Sequence, residues 1–236
     1  MHALKVLAAA AAGAGAAWSA PAPAPVFAPV AAALGITRRL PVPRGVALTF
    51  DDGPHSEGTP CVLERLRELN ATATFFLVGE QVEQLPALAA EIVAAGHEVA
   101  LHGHRHRLLL RRTTRALDED LARAAAVIED AAGVAPSWYR PPYGIFSLGA
   151  LGLVRTRGWR PMLWSRWGAD WRRRATADSV ARRVTTQLEA GDVVLLHDAD
   201  HYSSTESWRA TVAALPAIAD AVAALEEPFV RLTQST

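Results

Sequence analysis

Short apolar runs alternate along the chain with longer stretches that mix apolar and polar residues. The runs are rich in β-branched and aromatic types, which is typical of buried strands. Helix-boundary signals mark the longer stretches, such as Thr59-Pro60 at one start and Gly96 or Gly133 at an end. The pattern predicts strands at 46–50, 73–78, 97–101, 137–140, 159–164, 192–196 and 229–232. It predicts helices at 59–70, 85–95, 114–132, 147–157, 176–190 and 207–225.

This alternation predicts parallel strands joined by right-handed helical crossovers. Both a closed barrel and an open doubly wound sheet satisfy it. No Gly-x-Gly-x-x-Gly follows the first predicted strand, so dinucleotide binding is not indicated. The chain has 236 residues, half of them hydrophobic, which is enough for the core of one α/β domain.

The N-terminal region differs in composition from the rest. Residues 6–17 are only Val, Leu, Ala and Gly, and prolines at 21, 23, 25 and 29 follow. The sequence predicts a signal peptide or N-terminal anchor plus an Ala/Pro-rich linker over residues 1–43, ahead of a domain over residues 44–236. A disordered extension is the alternative. We expect the linker to resist packing, residues before about Pro41 to be dispensable for catalysis, and the protein to be secreted or cell-surface, with membrane contact only through this segment.

Charge and cysteine content narrow the function classes. With 24 basic and 24 acidic residues, the chain lacks the basic excess of proteins that bind nucleic acid or anionic membranes. Cys61 is the single cysteine, so no internal disulfide can form, and a buried inert thiol is expected rather than a nucleophile.

Arg166 and Arg172–Arg174 form a basic cluster, interpreted as a solvated loop or as a contact to carboxylates on a polymer. We expect a monomer.

Unusual polar residues collect where the predicted strands end. In βα folds the loops after the strands share one face of the molecule, and that face carries the site. The sequence therefore predicts one site formed from several strand ends. Its members, in chain order, are Asp51 and Asp52, His102 to His106, Arg140 to Gly144, Trp167 to Trp171, and His197 with Asp198.

Two of these groups indicate metal chemistry. His102 and His106 are four residues apart, so on a helix both imidazoles would lie on one face and could bind one ion. A carboxylate from another strand end would complete a His2Asp site with open positions for water and substrate. Asp51 and Asp52 repel each other if both are ionised, unless a cation or a shared proton relieves the repulsion. An acidic turn and an exposed histidine loop are the simpler alternatives.

Together these motifs resemble those of the polysaccharide deacetylases of carbohydrate esterase family 4, the NodB homology domain. Thr49 to Pro54 is similar to the family's first motif, His102-x-x-x-His106 to its second, and Arg140-Pro-Pro-Tyr-Gly144 to its third. Asp170-Trp171 is similar to the end of the fourth motif and Leu195-Leu-His197 to the fifth. The resemblance covers residues 45–232. It implies an α/β fold, a distorted (β/α)7 barrel, and metal-dependent removal of acetyl groups from N-acetylated sugars of cell-wall or chitin-like polysaccharide.

The resemblance also implies a role for each matched residue. Asp52, His102 and His106 would hold one divalent ion. Zn²⁺ is expected because mixed nitrogen and oxygen ligands suit borderline ions, with Co²⁺ or Ni²⁺ as alternatives. By the same resemblance, Asp51 would act as general base and His197 as general acid. Arg140 would orient Asp51, and Asp170 would tune the charge on His197. The Tyr143 backbone N–H would contact the oxyanion, and Trp171 and Leu195 would form the walls of the acetyl slot.

Two positions depart from the family pattern. Gly103 replaces the Ser or Thr that usually follows the first histidine of the second motif, which removes a hydroxyl that would brace the metal loop. Trp167 stands where the fourth motif usually begins with Asp. Three hypotheses follow: an N-deacetylase of acetylated glycans, a deacylase of O-acetylated glycan or of a small amide on the same fold, and a non-catalytic carbohydrate-binding relative. The presence of Asp51 and His197 with all three expected metal ligands argues against the last.

Overall fold

A curled sheet of parallel strands organises the molecule. The computed structural model describes residue 13 and residues 15–235. Within that part the sheet has seven strands, in the order β5-β4-β3-β2-β1-β7-β6, and curls into a half-barrel. The strands are β1 Ala47–Asp51, β2 Ala73–Leu77, β3 Glu98–Leu101, β4 Trp138–Tyr139, β5 Arg160–Pro161, β6 Arg166–Trp167 and β7 Val193–His197.

Helices precede and connect the strands, and their buried faces contribute to the large core. They are α1 Ala28–Ala33, α2 Gly58–Glu68, α3 Gly79–Gln84, α4 Pro86–Ala94, α5 Thr114–Ala132, α6 Leu148–Thr156, α7 Ala177–Thr185 and α8 Ser207–Ala224. Short 3-10 turns lie at Leu109–Arg111, Pro142–Gly144 and Leu232–Ser235. The predicted βα alternation and the expected distorted barrel are confirmed.

Strand alternation separates two layers of side chains. Leu48, Phe50 and Phe75 belong to the large core that the helices cover. Ala47 and Phe76 belong to a second, smaller cluster on the concave side, together with Ala100, Trp138, Met162, Val193 and Leu232. Because successive side chains of a strand point to opposite faces, Thr49 and Asp51 share the concave face with Ala47. The top of the concave side is thus polar, and the functional residues project from it.

Two of the predicted strands are wrong. Only Arg160–Pro161 of the predicted strand 159–164 form a strand, β5, which pairs with β4; the next strand, β6, lies beyond the predicted range and pairs with β7 at the opposite edge of the sheet. The chain between them crosses the open side of the half-barrel. The predicted strand 229–232 forms only an isolated bridge between Val46 and Phe229 before the chain enters a 3-10 turn.

Part of the predicted linker closes that open side. We call residues 18–40 the N-terminal strap; Ala24, Ala31, Ile36 and Leu40 in it are buried. The Thr37 N–H donates to the Pro161 carbonyl at 3.0 Å, and the Leu40 N–H donates to the Gly191 carbonyl at 2.9 Å. The strap therefore joins the β5 edge to the β7 side, so the structure differs from the expectation that this stretch resists packing.

The apolar run 6–17, on which the expectation of a signal peptide or anchor rests, precedes the strap. Residues 1–12 and residue 14 lie outside the described residues. Among the residues that are described, no helix combines the length and the apolar character needed to cross a bilayer.

Two expectations for helix α2 are also wrong. The helix begins at Gly58, so Thr59 lies inside it rather than at the N-cap. The Thr59 hydroxyl accepts from the His55 N–H and donates to Asp198 Oδ2. Cys61 is exposed rather than buried, because it points away from the face formed by Val62, Leu63 and Leu66.

Candidate active site

Adjacent strand ends bring the first two functional side chains together. Asp51 is the last residue of β1, His197 is the last residue of β7, and the two are partners in the parallel register. Both side chains are almost completely buried at the mouth of the half-barrel. The topology therefore places a carboxylate and an imidazole side by side on one face, as the strand-end argument predicts.

A buried arginine fixes one oxygen of Asp51. Arg140 follows β4, and its Nη1 donates to Asp51 Oδ1 at 2.6 Å and to Thr49 Oγ1 at 2.9 Å. Its Nη2 donates to the Leu163 carbonyl at 2.9 Å, and its guanidinium lies 4.0 Å from the centre of the Phe76 ring. These contacts lock the orientation of Asp51, whose other oxygen, Oδ2, lies 3.8 Å from His102 Nε2.

Asp52, His102 and His106 form a compact donor group. Asp52 Oδ1 lies 3.4 Å from His102 Nε2 and 3.3 Å from His106 Nε2. The three ligand atoms all lie within 4.8 Å of one another. Asp52 Oδ1 is buried and has no hydrogen-bond partner among the described residues, which is costly for a carboxylate unless a cation is nearby. One carboxylate oxygen and two imidazole nitrogens are a donor set that divalent ions such as Zn²⁺ accept.

Protonation states in this group also suit a metal ion. Burial would raise the pKa of Asp52, but the neighbouring imidazoles, with His102 foremost, outweigh it and lower that pKa to about 2. Burial lowers the pKa of His106 to about 4. At neutral pH the group therefore offers an ionised carboxylate and a neutral His106 imidazole, the forms that bind metals.

The loop that carries the two histidines is not helical. Residues 102–106 follow β3 as an irregular segment, so the two imidazoles are not brought together by the i, i+4 spacing of a helix. Both Nε2 atoms still reach Asp52, because the loop turns at Gly103, whose φ of +96° disfavours any residue with a side chain. His102 Nδ1 lies 2.8 Å from the Arg140 carbonyl, which fixes the proton on Nδ1 and leaves Nε2 free. His104 points away toward Glu83.

His197 is paired with a buried carboxylate. Its Nδ1 lies 3.0 Å from Asp170 Oδ1, and its backbone N–H donates to Asp170 Oδ2 at 2.7 Å. The Thr211 hydroxyl also donates to Asp170 Oδ2, at 2.7 Å. Burial alone would lower the pKa of His197, but Asp170 raises it to about 10. His197 Nε2 lies 3.9 Å from Asp52 Oδ2 and is not part of the three-residue donor group.

A single pocket of about 400 Å³ is lined by Asp51, Asp52, His102, His106 and His197. Trp171 presents its edge to the His197 ring at a centroid distance of 5.4 Å, and Leu195 contributes an apolar surface. Tyr143 has a left-handed backbone with φ 60°, and 57% of it is exposed. A side chain at Gly144 would overlap the Trp164 ring, so the last residue of the third motif must be glycine.

Sequence reasoning missed several residues of the pocket. Trp164, Tyr202 and Ser203 line it together with the predicted residues. Tyr202 and Ser203 belong to the loop that begins with His197, and that position was the available signal. Asp198 lies behind the pocket: it accepts from Thr59, and burial raises its pKa to about 7. It packs against Gly53, where a side chain would overlap its carboxylate.

The predicted arginine cluster is divided by the fold. Arg166 lies in β6 and bonds to Asp192 Oδ2 at 3.0 Å, so it is part of the sheet edge. Arg172–Arg174 are exposed and make no ion pair with any residue in the described range. They follow Trp171 directly, at the rim of the pocket. Trp167 is half-buried against the core.

A second histidine-containing cluster is organised by hydrogen bonds. His55 Nδ1 accepts from the Gly58 N–H at 2.9 Å, so the proton of the neutral ring lies on Nε2. That Nε2 lies 3.2 Å from Asp200 Oδ1, and His201 Nε2 lies 3.2 Å from the Pro54 carbonyl. The nitrogens closest to a shared centre are already engaged, which does not suit metal binding.

Comparison with known proteins agrees with this geometry. A family model described as polysaccharide deacetylase matches residues 40–161. The chain belongs to the polysaccharide deacetylase family. Two peptidoglycan-N-acetylglucosamine deacetylases of Bacillus cereus are each 34% identical, over 175 residues (73% of this chain, 79% of the relative) and over 152 residues (64% and 55%). The chain thus spans only about half the length of one of these polysaccharide deacetylases. A chitooligosaccharide deacetylase of Bradyrhizobium is 37% identical over 156 residues, 66% of this chain and 71% of the relative.

Solved structures of the family share the fold. A family 4 carbohydrate esterase from Streptomyces lividans, in complex with acetate, aligns with a TM-score of 0.71 at 31% identity, covering 79% of this chain and 91% of that one. A family 4 pseudoenzyme from Bacillus anthracis aligns with a TM-score of 0.73 at 26% identity, covering 81% and 64%. Family membership is therefore compatible with loss of catalysis, and the active-site residues have to carry the functional argument.

Proposed function

We propose that this polysaccharide deacetylase is a metal-dependent hydrolase that removes acetyl groups from N-acetylated sugars of cell-wall or chitin-like polysaccharide. One observation carries the proposal. Asp51 and His197 project into the same pocket as the Asp52, His102 and His106 donor group, each fixed by its own buried partner. The relatives named for peptidoglycan and chitooligosaccharide deacetylation support this substrate class.

The metal ligands would be Asp52, His102 and His106, with Zn²⁺ as the expected ion and Co²⁺ or Ni²⁺ as alternatives. When bound there, a divalent ion lowers the pKa of water and polarises an acyl oxygen. The support is the buried Asp52 oxygen that no described residue satisfies and the His102 tautomer that the Arg140 carbonyl sets.

Asp51 is proposed as the general base. Arg140 occupies its Oδ1, so the free oxygen Oδ2 is the one that can take a proton from an attacking water. The bond to Arg140 also keeps the carboxylate in one rotamer, which matters because proton transfer requires hydrogen-bond distance. Asp52 cannot readily take this role, because its Oδ1 faces the two metal-binding histidines.

His197 is proposed as the general acid. Its Nδ1 is committed to Asp170, so the proton that can leave is the one on Nε2, which faces the pocket. An amine leaving group must be protonated as the tetrahedral intermediate collapses. The raised pKa of His197, about 10, ensures that the proton is present at neutral pH.

The remaining pocket residues suit an acetyl group. Trp171 and Leu195 would wall the slot for the methyl, and the Tyr143 backbone N–H would help to hold the developing oxyanion. An O-acetylated glycan or a small amide could use the same groups. The names of the relatives, which refer to N-acetylglucosamine and chitooligosaccharide deacetylation, favour the N-acetyl glycan. The complete set of base, acid and ligands disfavours a non-catalytic role. Localisation outside the cell, with membrane passage or anchoring only through the N-terminal segment, is part of the proposal.

Acetate release from a panel of acetylated glycans tests the function. The panel should include N-acetylated chitooligosaccharide, peptidoglycan and O-acetylated xylan, each assayed with and without a chelator. We expect release from an N-acetylated substrate, loss with chelator and recovery when Zn²⁺ is restored. A His102→Ala, His106→Ala double variant serves as the metal-free control. Release that the chelator and the double variant leave unchanged would contradict metal dependence, and exclusive release from xylan would assign the O-acetyl alternative.

A further inference from the structure

The two proposed imidazole ligands are held in different ways. His102 has a hydrogen bond from Nδ1 to the Arg140 carbonyl at 2.8 Å, which fixes both its tautomer and its ring plane. His106 Nδ1 is buried and has no hydrogen-bond partner among the described residues. Metal-binding histidines usually rely on such a partner for orientation. Something other than a hydrogen bond must therefore set the ring plane of His106.

Aromatic rings flank His106 on two sides. The Tyr202 ring stacks on the imidazole, with centroids 4.2 Å apart and planes 10° apart. The Tyr143 ring meets it edge-on, with centroids 4.6 Å apart and planes 66° apart. A near-parallel stack at this distance restricts rotation of the imidazole about its last side-chain bond, and that rotation decides where Nε2 points.

Tyr202 is itself anchored at its far end. Its hydroxyl donates to Glu80 Oε1 at 2.7 Å and accepts from Gln81 Nε2 at 3.2 Å. Both partners belong to helix α3, residues 79–84. The ring is thus held by a polar pair outside the donor group, so it can brace His106 without taking part in binding.

Helix α3 also holds the backbone of the histidine loop. The Gly79 N–H donates to the Gly103 carbonyl, and the Glu80 N–H donates to the His104 carbonyl, both at 2.9 Å. Glu80 therefore contacts the loop through its backbone and Tyr202 through its carboxylate. One short helix fixes the loop and the ring that stacks on the loop's last ligand. This arrangement compensates for the hydroxyl that Gly103 lacks.

We propose that Tyr202 is a positioning residue: stacked on His106 and anchored by Glu80 and Gln81, it holds the imidazole in the orientation that binds the metal. This inference rests on the metal site of the proposed function. It gives Tyr202 a role in holding the metal ligand His106 rather than in binding the sugar, although Tyr202 also lines the pocket.

Zinc affinity of the metal-free protein tests the inference. Competition with a chromophoric chelator gives the Zn²⁺ dissociation constant of the wild type, Tyr202→Leu, Tyr202→Phe and Ser203→Ala. Tyr202→Leu removes the ring, and we expect zinc binding to weaken by about 10- to 100-fold. Tyr202→Phe keeps the ring and loses only its anchor, so a smaller loss is expected. Ser203→Ala, a neighbour that lines the pocket without a ring contact to His106, should bind zinc as the wild type does.

A double-mutant cycle between Glu80→Ala and Tyr202→Phe provides a test that does not depend on Tyr202→Leu folding. Once the hydroxyl is absent, loss of the Glu80 carboxylate should have no further effect on zinc affinity, whereas unconnected roles would add. Circular dichroism confirms the fold of each variant.

Wild-type zinc affinity in folded Tyr202→Leu, or additive losses in the cycle, would overturn the inference while leaving the proposed metal site intact. A raised KM of Tyr202→Leu with unchanged zinc affinity would likewise overturn the inference, because it would assign Tyr202 to substrate binding. A wild-type protein that binds no zinc would overturn the metal site itself.

Discussion

Several residues in and beside the pocket adopt backbone conformations that side chains disfavour. Asp52 has φ 78°, Tyr143 has φ 60° and Ala169, which precedes Asp170, has φ 53°. A non-glycine residue in this region costs on the order of 1–3 kcal/mol, and it persists only where the surrounding structure imposes it. The conformation turns Asp52 away from Asp51, so that two neighbouring carboxylates serve different partners.

Replacing Asp51 with Asn tests the proposed general base independently of the metal ligands. The amide oxygen can still accept from Arg140, but the residue cannot take a proton from water. We expect activity to fall by about a hundredfold or more, the usual size of a lost general base, with unchanged zinc content. Acetate release and elemental analysis on the same sample check this. Retained turnover would place the base elsewhere.

Asp170→Asn changes the charge beside His197 while keeping an acceptor for its Nδ1. Asp170 raises the pKa of His197 to about 10, so its neutral replacement should let that pKa fall. A general acid works only while protonated, and activity is lost as pH rises through its pKa. The alkaline limb of the pH profile of kcat/KM should therefore move to lower pH, with the acidic limb in place. An unmoved alkaline limb would contradict the pairing.

At the scale of elements, sequence reasoning succeeded where the signal was long and local. Helix α5 ends at Gly133 with φ 71°, as predicted, and the five-residue strand β7 lies within one residue of its predicted position. The two-residue strand β6 was missed and β5 was predicted too long, because the pairing of both depends on where the sheet closes. Helix α3 was missed because six residues carry too little periodicity.

In the candidate site, too, the sequence predicted some features and missed others. The motif residues and their common face could be inferred from strand ends, since topology alone brings those loops together. Tyr202 could not be assigned to His106, because a stack between distant loops leaves no local pattern. The spacing of the two histidines did not reveal how they meet, because a loop that turns at a left-handed glycine also brings residues i and i+4 together.

The N-terminal strap should contribute to stability, whether or not residues before about Pro41 are dispensable for catalysis. A chain that begins at Arg44 loses the burial of Ile36 and Leu40 and the bond from Arg38 to the Trp164 carbonyl. Burial of two such side chains is worth about 3 kcal/mol or more, so the urea midpoint should fall markedly. A chain that begins at Trp18 keeps the strap and is the matched control. Equal midpoints would restore the view that the strap is a linker.

At the scale of the whole molecule, the concave side of the half-barrel contains a polar layer among otherwise apolar side chains. Arg140 is completely buried there, between Phe76 below and Asp51 above. Charges placed so deeply are tolerated because each has several fixed partners. In the donor group at the top, Asp52 Oδ1 is satisfied by none of the described residues.

A bound ion should therefore stabilise the entire fold. Zinc at about a hundred times its dissociation constant adds about 2.7 kcal/mol if only the folded chain binds it. For a chain of this size that corresponds to a rise in Tm of roughly 5–10 °C. Thermal unfolding with Zn²⁺ and with chelator measures the shift. The His102→Ala, His106→Ala variant should show none, and an equal shift in that variant would locate the ion elsewhere.

The strap also constrains the order in which the chain can fold. Arg38 bonds to Trp164, 126 positions later, and Arg39 bonds to Ala190, 151 positions later. These contacts of the strap can form only after Trp164 and Ala190 have been synthesised, and such distant contacts form slowly. Until then the outer strand β5 exposes unpaired peptide groups that could recruit another chain. A protein built this way is therefore open to pairing with its own copies until the strap is in place.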